Sequence, residues 1–348
     1  MNKFFGILIL LFVLSGTAYM GVQYYLEQRV EVVEPLVINI VRGQSLSHVA
    51  QDFAALGLIE NPKVFSKVGQ FYGYANRIKY GEYLIEPGDT YRGLLNKIVS
   101  GLNYKYEITF FEGDHLFKYA QNIEDKGLGN KSEFLARVRD RELIESLLGE
   151  QLSSLEGYLF PDTYHFTKED GARGIVVAMV RRFLEETKKL DFSQQKLSRH
   201  QIVTLASLIE KETGAPFERK LISSVFHNRL KKNMKLQTDP TIMYGILEET
   251  GQEVTNIRKK DILSPTAYNT YVIRGLPPGP IANPGIESLR AALNPAQSEH
   301  LFFVSRNDGT HVFTSTYKQH KEAVAKFQLD AKMREGKSWR DLQKKSKK

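Results

Sequence analysis

The stretch VTLASLIEKETGAPFERKLISSVFHNRL, from Val203 to Leu230, brings two glutamates, Glu210 and Glu212, to the end of an apolar helical run. On a helix, residues three, four and seven apart share a face. Leu205, Leu208 and Ile209 stand at those distances before Glu212, which therefore prolongs the apolar stripe. Glu210 lies about 200° away around the axis. Its neighbours are Val203, Ala206 and Ser207, so it is expected to be a supporting or solvated charge, and the two acids cannot act as a pair on one face. A carboxyl that ends an apolar stripe loses hydration, which raises its pKa above the usual ~4.3 and can keep it protonated near neutrality. Such a group can serve as a general acid. The competing reading is a helix-end ion pair with Arg219 or Lys220, an arrangement that contributes little when exposed.

Other chemistries find no support. The chain has no cysteine, so it offers no thiolate nucleophile and no thiolate metal site. Its eight histidines include no H-E-x-x-H pair, and neither a P-loop nor a G-x-S-x-G elbow occurs. No metal or cofactor is expected. The net charge of +8 is modest and partly concentrated in the tail KMREGKSWRDLQKKSKK, which reads as solvated. Zinc spacings, basic heptads and RNP-like aromatics are all missing, so nucleic acid is not an expected partner.

Several elements must position the acids. The run from Phe4 to Val22 carries no charge. At ~1.5 Å per residue it spans roughly 28 Å, enough to cross a hydrocarbon core. It exceeds a signal-peptide h-region and lacks an A-x-A-like site, which favours a retained single-pass anchor over residues 1–26. Three degenerate copies follow, GQSLSHVAQDFAALGL, GDTYRGLLNKIVSGL and GDHLFKYAQNIEDKGL. Each predicts a helix closed by a left-handed glycine, at Gly57, Gly101 and Gly127. Strand-like runs precede them, LVINIV, YGEYLI and YKYEITFF. Residues 36–129 are thus expected to form a small α+β domain. From 130 to 334 the pattern is mostly helical, with a large ordered loop containing LQTDPTIMYG and SPTAYNTYVIRGLPPGPIANPG, and two strand-like pieces, LFFVS and HVFTS. Residues 335–348 are read as a basic tail. The fold class expected is α+β.

The stretches EGYLFPDTY, LASLIEKETG, VFHNRL, LQTDPTIMYG, SPTAYNTY and GLPPGPIANPG, in this order, resemble the endolytic murein transglycosylases, the MltG or YceG-like family. They run from Glu156 to the helix after Pro284, and the repeats are similar to the family's LysM-like part; the chain after about Phe327 carries no family signal. The resemblance implies a lyase of cell wall biogenesis in the inner (plasma) membrane, with its catalytic domain on the outer, periplasmic face. It would cut nascent peptidoglycan strands between MurNAc and GlcNAc, leave 1,6-anhydroMurNAc ends and so terminate elongation. Peptidoglycan strands and the membrane are the implied partners, with peptidoglycan synthases as further candidates. The family's essential glutamate corresponds to Glu212. Glu156, Asn228, Gln237, Asp239, Tyr268, Asn269 and Tyr271 lie in the matching motifs, where they either orient the sugars and Glu212 or make turn and capping hydrogen bonds. Two rival readings are a lysozyme-type hydrolase, with Asp239 or Glu156 as second carboxylate, and a non-catalytic wall-binding anchor.

Overall fold

A computed structural model describes residues 2–193, 196–212 and 215–330. The basic tail expected at 335–348 lies outside the described residues. The chain is mixed helix and sheet, with small two-stranded sheets, and divides into two compact units, 1–107 with 165–171, and 108–164 with 172–348.

The first unit begins with α1 (Asn2–Leu26), long and apolar enough to cross a membrane. Its last turn belongs to the folded unit: Leu26 is fully buried among the core side chains, and Val22 and Tyr25 pack against them. Gln23 donates to the Tyr72 hydroxyl at 2.8 Å, and Arg92 bonds both Gln23 and Glu27. The helix therefore enters the unit without an intervening linker. β1 (Leu36–Ile40) pairs antiparallel with β2 (Gly81–Ile85), Leu36 facing Ile85. Between them run α2 (Leu46–Ala55) and α3 (Pro62–Phe71), and α4 (Tyr91–Ser100) follows. Residues 165–171 join this unit through Lys168, whose ammonium lies 2.8 Å from Glu82, an acid that also accepts from the Tyr106 hydroxyl.

The repeat signature has a local cause. Its third residue, Ser45, Thr90 or His115, is a helix N-cap whose side chain accepts from the backbone N–H three residues on. The closing glycines Gly57, Gly101 and Gly127 all adopt the left-handed conformation, as expected. The third copy departs from the expected grouping. Its strand β3 (Tyr106–Thr109) spans the division, and its helix α5 (Leu116–Asp125) lies in the second unit, packed on α6 (Lys131–Arg137), so the division falls at 107/108 and not at 129/130. Tyr119 of α5 packs on Phe110, and the Leu116 N–H donates to Glu156.

In the second unit SEFLARVRDRELIESLL breaks into α6 and α7 (Arg141–Leu148), because Asp140 caps the latter. β4 (Thr163–Phe166) pairs with β3, and α8 (Gly171–Thr187) follows. The centre is α9 (Arg199–Glu212), whose residues Ile202 through Ile209 are all buried. α10 (Arg219–Lys231), α11 (Asp239–Thr250) and, after the short α12 (Lys259–Ile262), α13 (Ile286–Leu293) pack around it. LQTDPTIMYG, read from sequence as part of a turn-rich stretch, instead opens α11: Asp239 is its first residue and Pro240 sits in its first turn, where the missing N–H costs nothing. Residues 263–285 contain neither helix nor strand. β5 (Phe302–Ser305) and β6 (His311–Thr314) form an antiparallel hairpin followed by α14 (Tyr317–Val324).

Candidate active site

Glu212 ends α9 at the wall of a cavity of about 370 Å³. Four elements meet there. The start of α11 and the residues leading into it supply Asp239 and Gln237, the 263–285 loop supplies Tyr271, α10 supplies Arg229, and the hairpin with α14 supplies Phe302, Phe303, Tyr317 and His320. Glu212 is half-buried, and the Thr238 hydroxyl donates to its carboxyl. Burial raises its pKa above the ordinary carboxylate range, and the nearby Asp239 charge adds to this; the Thr238 hydrogen bond and the charges of His311 and Arg229 oppose it. The helix-end ion pair with Arg219 is not what forms: the Arg219 guanidinium lies 3.4 Å from Glu210 and 3.9 Å from Glu112.

Glu210 is not solvated. Its side chain is 7% exposed and accepts from the Gly285 N–H at 3.0 Å. It fastens the 263–285 loop to the start of α13. The contrast of faces drawn from sequence is thus smaller than expected, since Ile202 through Ile209 of α9 are all buried. What separates the two acids is the cavity that only Glu212 borders.

Of the seven secondary residues expected from sequence, three come to this cavity. Asp239 accepts from the Tyr271 hydroxyl at 2.7 Å, and Gln237 holds a left-handed conformation (φ 51°) rarely tolerated outside glycine, beside the Thr238 that bonds Glu212. The other four lie outside it, in scaffolding contacts of their own. Asn228 donates to the carbonyls of Ser298 and His300. Asn269, fully buried, donates to Ile262 and Ser264 and accepts from Tyr271 N–H. Tyr268 packs edge-on against Tyr244. Glu156, 2% exposed, accepts from the Leu116 N–H, the Asn283 amide and the Tyr244 hydroxyl.

Sequence reasoning passed over Arg229 and Thr238, although both lie inside or beside the motifs. Arg229 is buried and held by the carbonyls of Leu301 and Leu236, each at 2.6 Å, so its charge is fixed beside Glu212 by backbone oxygens. An arginine spaced on the apolar side of VFHNRL was the available signal. The aromatic wall could not be read, because Phe302, Tyr317 and His320 reach the cavity only through tertiary packing; His320 stacks on Phe302 at 5.0 Å.

Chemically the cavity offers a carboxyl biased toward its protonated form, a fixed cation, a second carboxylate engaged by a tyrosine, and flat aromatic faces. That combination suits acid catalysis on a sugar chain.

Comparison with known proteins gives the same direction. The YceG-like family model matches residues 38–326. An endolytic murein transglycosylase of Bacillus subtilis (strain 168) is 36% identical over 307 residues, covering 83% of this chain and 84% of that protein. One from Streptococcus pneumoniae (strain ATCC BAA-255 / R6) is 27% identical over 355 residues; the alignment covers 91% of this chain and 64% of that longer protein. A crystal structure of a yceG-like protein from Listeria monocytogenes superposes with a TM-score of 0.56 at 31% identity, over 83% of this chain and 99% of that one.

Proposed function

The chain belongs to the YceG-like family, and we infer from its site that it is an endolytic murein transglycosylase whose general acid is Glu212. The observation that carries the assignment of the acid is the placement of one carboxyl with a raised pKa on the wall of a cavity lined by sugar-compatible aromatic and polar groups.

Protonated Glu212 gives its proton to the glycosidic oxygen as the bond to the MurNAc C1 breaks through an oxocarbenium-like transition state. The resulting carboxylate takes the proton of the same sugar's C6 hydroxyl as that oxygen closes on C1. The products are a strand with a free GlcNAc hydroxyl and a strand ending in 1,6-anhydroMurNAc; no water is consumed. Because the nucleophile belongs to the substrate, its effective concentration is high and no second carboxylate is required. The Arg229 charge opposes the raised pKa and so lowers the cost of the carboxylate that forms midway. Gln237, Asp239 and Tyr271 are the groups placed to orient the sugar rings or Glu212. Glu156 lies outside this cavity, so it cannot supply the partner acid of a hydrolase.

The apolar helix α1 anchors the chain in the membrane. The units lie on the outer face, where nascent murein is exposed, and internal cutting ends strand elongation beside the synthases that make it. Lys3 and the terminal amine favour a cytoplasmic N-terminus, against the vote of Arg29. The antiparallel β1 and β2 with two helices between them support a LysM-like, strand-holding role for the first unit. Digestion of purified glycan strands by wild type and Glu212→Gln tests the whole reading. Mass spectrometry should find ends lighter by one water with wild type and none with the variant; reducing ends from wild type would instead identify a hydrolase.

A further inference from the structure

A second cavity of about 350 Å³ lies in the same unit, and nothing in the reaction above uses it. Its wall includes Lys211 and Pro240, the chain neighbours of Glu212 and Asp239. The two cavities are therefore bordered by consecutive residues at two places, with α-carbons about 3.8 Å apart. Their linings differ in kind. The Glu212 cavity presents aromatic faces, and its flanking charges are already engaged, Arg229 by backbone carbonyls and Asp239 by the Tyr271 hydroxyl. The second has an aliphatic floor, Met243, Leu247, Val254 and Ile281, under a rim of both charge signs. Lys118 and Lys211 supply the ammonium groups, and among the described residues neither makes an ion pair; Lys211 donates to the Gly113 carbonyl at 3.0 Å. Asp114 and Glu253 supply the acids, the latter 3.1 Å from His115.

A neutral sugar ring does not call for such a lining. Short aliphatic side chains with free carboxylate and ammonium groups do, and these belong to a peptide. Murein bears short peptides on the very sugar whose C1 must sit at Glu212. We propose that the second cavity receives the peptide branch of that sugar, so that the enzyme selects strands still carrying their peptides. The proposal rests on the transglycosylase reading and specifies which form of its substrate the site takes.

The test uses the full-length protein with two substrates, un-crosslinked strands bearing their peptides and the same strands stripped of peptides by an amidase. Wild type should show a KM for the peptide-bearing strands lower by about tenfold or more, the equivalent of one good contact of ~1.4 kcal/mol. Lys118→Ala, at an exposed position, and Met243→Trp, which fills the cavity, should each raise KM for the peptide-bearing strands toward that of the stripped ones. Lys118→Arg should restore the preference. Equal KM values for the two substrates with wild type, or equal losses on both in the variants, would overturn the peptide-binding assignment. Failure of wild type to cut either substrate would instead sink the transglycosylase reading, and this assignment with it.

Discussion

Two glutamates of the second unit share an origin in the matching motifs and a pKa raised chiefly by burial, yet they differ in everything that permits chemistry. Glu156 is pushed up to about 8, and its two oxygens are claimed by donors from three separate segments: the first turn of α5, the loop at Asn283 and Tyr244 of α11. It lines neither of the two cavities. Glu212 has a hydroxyl donor in Thr238 and borders open space. A raised pKa is therefore a statement about desolvation, and it marks structural acids as readily as catalytic ones. Access decides between them: a proton can be delivered only where a substrate oxygen can approach.

The largest test of this distinction is Glu212→Gln. Loss of the proton donor should lower turnover on glycan strands by about 10²–10⁴-fold, while thermal unfolding stays close to wild type. Glu156→Ala should show the reverse pattern. It leaves the Leu116 N–H, the Asn283 amide and the Tyr244 hydroxyl without their acceptor, at a cost of about 1–3 kcal/mol for each group that finds no water. Denaturant unfolding should report a loss of roughly 3 kcal/mol or more. A Glu156→Ala protein of wild-type stability that had lost its turnover would erase the distinction between the two acids.

A finer test separates the acids by pH. The folded pKa of Glu156, about 8, lies above its ordinary value of 4.5, so the folded state holds a proton that the unfolded chain has released. The stabilisation is fully present below the lower value and is lost as pH rises toward the upper one, with a slope of at most about 1.4 kcal/mol per pH unit. Glu156→Gln removes this titration. Its unfolding free energy, measured between about pH 5 and pH 8, should therefore gain on that of wild type as pH rises.

How much of this could be read in advance varied with the range of the forces involved. The repeat helices were legible because their signals are local: a capping side chain at Ser45 or Thr90, and a glycine at Gly57 or Gly101 where the backbone turns left-handed. The apolar helix and the position of Glu212 at the end of a stripe were legible for the same reason. The start of α11 falls in the stretch expected to be loop, because an Asp-Pro pair opens a turn or a helix equally well, and here Pro240 sits in the first helical turn. The third repeat copy was assigned by likeness to its siblings, whereas α5 docks through Tyr119 and its bond to Glu156, contacts that no spacing reveals. Of the two roles expected for Glu210, supporting and solvated, the structure bears out the first; the burial that excludes the second depends on Gly285, 75 residues away.

The smallest effects should come from the neighbours of Glu212, and their signs are what matters. A general acid must be protonated, so the rate falls as pH rises through its folded pKa. The Asp239 charge raises that pKa, and the Thr238 hydrogen bond lowers it. Asp239→Asn keeps an acceptor for the Tyr271 hydroxyl but removes the charge, so the descending limb of kcat/KM should move to lower pH. Thr238→Val should move the same limb to higher pH. It should also reduce the plateau by roughly fivefold, the kinetic equivalent of one ordinary hydrogen bond of about 1 kcal/mol that orients the carboxyl. Opposite displacements from two adjacent residues cannot arise from a general loss of folding. Both variants moving the limb in one direction, or leaving it in place, would mean that the acid whose titration controls the rate is not Glu212.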